Sequence, residues 1–174
     1  MRSIIQLPNE IKIVPNKFYI CIYGPFGFNS LKVIDGVQME LKIHSLVLKS
    51  TPKTKLNKAN FGLFFSLLKN NIKGVITKFI KILKISGSGY KFVLNNSTLF
   101  VNAGQTKLLF VLIPKDIELK LIDNSRINIS STNKHLVGEI ASKIRNVRPI
   151  EPYKLRGISY LDENPFPKEG KKRK

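Results

Sequence analysis

Between Leu41 and Lys115 there is no aspartate and no glutamate, although thirteen lysines fall in that 75-residue span. A surface of balanced ion pairs cannot be built from such a stretch. It points to one broad face turned towards a polyanion. Residues 1–40 carry +1, residues 116–132 carry −1 and residues 133–174 carry +6, and the whole chain of 174 residues reaches +19. A compact chain of that charge repels itself unless an anion is near. Nucleic acid is the commonest such partner, because each phosphate neutralised releases condensed counterions. An anionic membrane surface is the rival. Cysteine is nearly absent as well. Cys21 stands alone in the apolar run Ile20-Cys21-Ile22, so no internal disulfide can form, and the expectation is a buried thiol in a reducing compartment. No apolar run approaches the roughly 18 residues that a membrane span requires. The N-terminus has neither a signal-peptide core nor an arginine- and serine-rich transit pattern, so the chain is expected to act where it is made.

Catalytic and metal-binding patterns are missing too. His44 and His135 have no cysteine or carboxylate neighbour at metal-ligand spacing, so neither a zinc site nor any other cofactor is expected. His135 reads as an exposed residue at a helix start. No nucleophile elbow supports Ser-His-Asp chemistry. Gly87-Ser88-Gly89-Tyr90 resembles the front of a nucleotide loop, but it lacks the third glycine and the following helix. It reads as a turn near RNA. Glu151, between Arg148 and Lys154, reads as an orienting ion-pair partner and not as a general acid.

What is present is mostly alternation. Residues 1–15 form a lead-in broken by Pro8 and Pro15. Strands are expected over Lys17–Tyr23 and Ser30–Ile34, around the turn Gly24-Pro25-Phe26-Gly27. Asp35-Gly36 gives a hairpin signal before an extended Val37–Leu48. A helix then carries Phe61, Phe64, Phe65, Leu68 and Ile72 at i, i+3, i+4, i+7 and i+11. That stripe reads as sheet-facing core and not as a ligand pocket. Gly62 inside it, at about 1 kcal/mol against alanine, suggests close backbone packing. Strands follow over Phe79–Ser86, Tyr90–Leu94, Thr98–Val101, Lys107–Ile113, Ile117–Ile122 and Arg126–Ser130, read as a meander. The expected class is α+β with mostly antiparallel sheets, since strands run on before each helix without βαβ alternation.

A second helix, 133–147, repeats the first. At an offset of 76, Asn57, Lys58, Gly62, Ser66 and Asn70 fall on Asn133, Lys134, Gly138, Ser142 and Asn146. Each helix also closes a run of strands. The order predicts a tandem duplication of a β-rich, one-helix unit, with residues 1–77 as the first repeat, 78–161 as the second and 162–174 as a basic tail. That tail should be disordered when free in water and fold against RNA on binding.

The second helix buries Val137, Ile140, Ala141 and Ile144 by spacing, leaving Lys134, Lys143 and Arg145 for solvent or a partner. Pro149 ends it. Beyond, Arg148, Lys154 and Arg156 alternate with Pro152, Tyr153 and Gly157 in a segment too proline-rich to be regular. A packed helix thus delivers a cationic loop with one flat aromatic, a phosphate-binding surface. Structured RNA fits better than DNA, since no recognition helix with base-reading residues is visible.

These residues carry a resemblance. Gly87-Ser-Gly-Tyr-Lys91, Asn133-Lys134 with Val137-Gly138-Glu139, Ile144-Arg145, Val147-Arg148-Pro149, Glu151-Pro152-Tyr153-Lys154, Gly157-Ile158 and Lys168-Glu-Gly-Lys171 resemble the large-subunit ribosomal protein L-six family of the bacterial type. The resemblance runs from about Phe79 to the C-terminus and is weak before it. It implies a structural, non-enzymatic constituent of the large ribosomal subunit. Its place would be on rRNA near the sarcin–ricin loop and the stalk base, supporting assembly and the site of translational GTPases. Its partners would be large-subunit rRNA, neighbouring large-subunit proteins and, transiently, those GTPases. The rRNA contacts it implies are Gly87, Tyr90 and Lys91 in the turn, Lys134 and Arg145 on the helix, Arg148, Pro149, Tyr153, Lys154, Arg156 and Gly157 in the loop, and Lys168, Lys171, Lys172, Arg173 and Lys174 in the tail. The family usually carries Pro where Ile150 stands and Gly-Lys where Leu155-Arg156 stands. With 24 Lys against 6 Arg, 22 Ile and 15 Asn, the composition is that of an AT-rich genome. A mitochondrial ribosome is the expected location, with a plastid or bacterial ribosome as alternatives. A generic cationic RNA- or membrane-surface-binding protein outside the ribosome is the competing reading.

Overall fold

The computed structural model describes residues 2–16, 18–42, 45–50, 55–95, 97–104 and 109–170. The chain divides into two compact units, residues 1–78 with 132–134, and residues 79–131 with 135–174.

In the first unit, β1 (Arg2–Gln6), β6 (Ser45–Lys49) and β5 (Gln38–Lys42) form one antiparallel sheet in that order. A second holds β2 (Lys12–Pro15), β3 (Tyr19–Gly24) and β4 (Gly27–Lys32) in sequence order. The helix α1 (Lys55–Ile76) closes the unit. It buries Phe61, Phe64, Leu68 and Ile72, with Phe65 half-buried, so the expected stripe is core. Each fully buried Leu or Phe of that kind contributes about 2–3 kcal/mol. Ile20 and Ile22 face it from β3 and Leu46 and Leu48 from β6.

Several expectations are corrected here. The lead-in holds two short strands, β1 and β2, each paired by a distant or following strand that a local reading does not supply. Val37–Leu48 is not one strand but the antiparallel pair β5–β6, with residues 43–44 outside the described part. Asp35-Gly36 makes a turn, with Gly36 at φ 85°, but no hairpin: β4 pairs with β3, and β5 belongs to the other sheet. Gly62 is exposed and an added Cβ there would meet nothing within 4 Å, so it serves no close approach. Cys21 is half-buried, because the alternation that buries Ile20 and Ile22 turns it to the other face.

The second unit repeats the plan. β7 (Phe79–Ser86), β12 (Arg126–Ser131) and β11 (Glu118–Asp123) pair as β1, β6 and β5 do, and β8 (Lys91–Asn95), β9 (Thr98–Asn102) and β10 (Leu109–Leu112) pair as β2, β3 and β4 do. The helix α2 (Lys134–Val147) buries Val137, Ile140, Ala141 and Ile144. At the offset of 76, buried Phe61, Phe64 and Leu68 fall on buried Val137, Ile140 and Ile144. The fold is therefore α+β, built from a repeated antiparallel unit. The strands after Phe79 do not make a single meander; they split between two sheets. One strand has no counterpart among the described residues of the first unit: β13 (Gly157–Tyr160) pairs antiparallel with β7 on its free edge. The segment after Pro149 is irregular as expected up to Arg156, and the chain re-enters the sheet only at Gly157.

Candidate nucleic-acid interface

α2 stops at Val147, and Pro149 forms an isolated parallel bridge with Ile158. The Ile158 N–H donates to the Arg148 carbonyl at 2.8 Å, which ties the end of the helix to the start of β13. The residues between are held as a closed loop. The Glu151 N–H donates to the Arg156 carbonyl and the Leu155 N–H to the Glu151 carbonyl, both at 2.8 Å. Glu151 thus orients the loop through its backbone. The expected ion pair to Arg148 or Lys154 is not formed among the described residues. The tail returns to the same place, since the Lys168 N–H donates to the Pro152 carbonyl at 3.1 Å. Tyr153, at 59% exposed, stands out of the loop beside exposed Lys154 and Arg156, with Arg148 half-buried at its base.

Two backbone positions set this path. Gly157 is buried at φ 134°, and an added Cβ would lie 2.6 Å from the Pro149 carbonyl oxygen. Only glycine lets the two segments approach this closely. Leu155 has φ 53°, the left-handed region, and is the only described non-glycine residue there. This is the position where the resembling family usually has glycine. The loop keeps the glycine conformation although a leucine stands in it, at a cost of about 1–2 kcal/mol.

Gly157 opposes Ser86 in the β13–β7 register, so the loop rejoins the sheet beside the turn that begins at Gly87. The ring of Tyr90 is seated in that turn: Cβ atoms added at Gly87 and Gly104 would each come within 2.7 Å of it. Half-buried and packed on the core, Tyr90 braces the turn. Lys91 follows it, exposed, as the first residue of β8. The turn and the loop are thus neighbours. Lys134 is not brought to them, because it begins α2 and lies about 20 Å along the axis from the helix end. Lys171, Lys172, Arg173 and Lys174 lie outside the described residues.

Arg145 is differently placed from its expected open position. Its guanidinium grips the Glu163 carboxylate with two charge-assisted hydrogen bonds, Nε to Oε2 at 3.0 Å and Nη2 to Oε1. It also lies over the Tyr160 ring at 5.8 Å. The Glu163 hydrogen bond raises the Arg145 pKa, and the same bond holds the Glu163 carboxyl below the usual carboxylate range. Lys143 likewise bonds Glu139 one turn away. The tail, expected to be disordered when free in water, is held at Glu163 and at Lys168 in its described part. Glu163 gave no sequence signal, being 18 residues from Arg145 with no shared motif. His135 is exposed at the helix start, 3.9 Å from Glu139.

Among the described residues no group of three His, Cys, Asp or Glu could hold a metal ion. No helix in them is long and apolar enough to cross a membrane. The arrangement presents cations, one exposed aromatic ring and backbone amides. It fits the binding of phosphates on a shaped RNA surface.

Comparison with known proteins gives the same direction over more of the chain. The sequence profile of the family described as "Ribosomal protein L6" matches residues 86–161. "Large ribosomal subunit protein uL6c" of Pyropia yezoensis is 34% identical over 170 residues, covering 98% of this chain and 94% of that protein. "Large ribosomal subunit protein uL6" of Crocosphaera subtropica is 35% identical, covering 96% and 93%. The protein of that name in Karelsulcia muelleri is 33% identical, covering 98% and 96%.

Proposed function

The chain belongs to the ribosomal protein L6 family, and from that premise we propose how it grips its RNA. It is a structural protein of the large ribosomal subunit and not an enzyme. In the proposed arrangement the loop from Arg148 to Gly157 is the principal rRNA contact. Arg148, Lys154 and Arg156 bind backbone phosphates, and Tyr153 stacks on or buttresses the nucleotide backbone. Lys91 beside the Gly87 turn and Lys168 in the returning tail extend the contact, with Lys171, Lys172, Arg173 and Lys174 beyond it. Gly87, Tyr90, Pro149 and Gly157 act by shaping the backbone, and Arg145 by fixing the tail through Glu163. Lys134 makes a separate contact at the far end of α2.

One observation carries this reading. Lys154 and Arg156 are exposed on a backbone fixed by two hydrogen bonds within the loop and one from Ile158 to Arg148, and no carboxylate neutralises them among the described residues. A preorganised cationic loop loses little entropy on binding a rigid anion. The proposed location is large-subunit rRNA near the sarcin–ricin loop and the stalk base. There the protein supports assembly and shapes the site of translational GTPases. The lysine-, isoleucine- and asparagine-rich composition supports a mitochondrial ribosome, while plastid and bacterial relatives keep those compartments as alternatives. Titration of large-subunit rRNA with the purified chain tests the reading. Affinity should fall steeply with added salt, and the Arg148→Ala/Lys154→Ala/Arg156→Ala variant should lower it without changing the thermal midpoint. Unchanged affinity in that variant contradicts it.

A further inference from the structure

The sheet β2-β3-β4 of the first unit has an aromatic outer face. Alternation along β3 buries Ile20 and Ile22 and turns Tyr19 and Tyr23 outward, at 49% and 44% exposed. Phe28 of β4 pairs across from Tyr23, is 64% exposed and stacks with it at a centroid distance of 5.9 Å and 30° between planes. The solvent face of an antiparallel sheet is ordinarily polar, so three open rings on one such face require an account. The charges beside them are of one sign. Lys12 pairs with Tyr23 and Lys32 with Tyr19 in the strand register, and none of the residues of the three strands is a carboxylate.

We infer that this face is a second RNA contact, which stacks two or three bases of a single-stranded segment on Tyr19 and on the Tyr23–Phe28 pair. Flat rings offer a π-face to any base, and each stacked base adds to affinity without reading sequence. Tyr19 and Tyr23 are four residues apart on one strand, about 13 Å, so they are separate platforms, joined to the backbone of the ligand by Lys12 and Lys32. The charge decides the class of partner: a face of aromatics rimmed by lysine complements a polyanion that carries aromatic bases. The inference is independent of the loop, which lies in the other unit.

The test uses the full chain with the loop substitutions Arg148→Ala, Lys154→Ala and Arg156→Ala, titrated with an unstructured eight-nucleotide oligoadenylate and with an abasic oligomer of the same length. The oligoadenylate should quench tyrosine fluorescence and bind about tenfold more tightly than the abasic strand. Tyr23→Leu and Phe28→Leu should each weaken it about tenfold, while Tyr23→Phe stays within about twofold. Thermal midpoints of the variants confirm folding, since these side chains are exposed. Equal binding of the abasic strand overturns the inference. So does full affinity in Tyr23→Leu, the result expected of an apolar face that docks a protein. Failure of the loop reading appears separately, in the rRNA titration of the loop variant alone.

Discussion

The two units share strand order, sheet pairing and helix register, yet α1 has 22 residues and α2 only 14. In the first unit the helix runs on to Ile76 and buries Ile72 and Val75. At the offset of 76, Arg148 stands where Ile72 would continue the stripe. Pro149 stops the second helix there, and the chain spends the following residues on the loop and on β13. The two units therefore differ where one helix continues and the other gives way to the cationic loop, on the same scaffold. The same packing that buries Val137, Ile140 and Ile144 holds the loop root in place.

The largest effect that would break this comparison comes from Gly157, which has no counterpart after α1. Gly157→Ala places a Cβ against the Pro149 carbonyl at an unfavourable φ and should cost about 3 kcal/mol. Urea unfolding measures it, and a near-normal midpoint would mean that β13 is not what seats the loop. Next, the loop triple variant should weaken rRNA binding by about ten- to a hundredfold and reduce its salt slope by about 2–3. Lys58→Ala/Lys69→Ala/Lys73→Ala on exposed positions of α1 should do less by about tenfold, and equal losses would erase the distinction between the units. Gly62→Ala in α1 should stabilise by about 1 kcal/mol, because the site is an open helix interior. The smallest effect is at the tail. Glu163 has a depressed pKa in the folded state, so its contribution is present above the ordinary glutamate range and disappears as pH falls through its lowered folded value. Glu163→Gln should remove that acid-side loss and about 1 kcal/mol or less at neutral pH, read as the difference between the two urea-midpoint profiles against pH.

The fold class was legible because its signals are local. Periodicity at Phe61–Ile72 and Val137–Ile144 marks both helix faces, and alternation marks most strands. What the sequence concealed depends on partners far along the chain. β1 is a strand because β6 pairs with it, and Gly157–Tyr160 is one because β7 leaves an edge open. Asp35-Gly36 misled because the turn chemistry is the same whether or not the flanking strands pair. In the candidate site, the cationic residues and Tyr153 were visible as a cluster. The engagement of Arg145 was not, since Glu163 meets it only after the chain has turned back through β13. Nothing in a leucine announces positive φ, so the left-handed Leu155 was signalled only by the glycine usual at its place in the resembling family.

The most direct measurement is photo-crosslinking from position 153 in intact large subunits carrying Tyr153→p-benzoyl-phenylalanine. The account predicts an adduct to large-subunit rRNA, lost when Arg148, Lys154 and Arg156 are also alanine. Adducts to protein alone, with the chain still in the subunit, would contradict it.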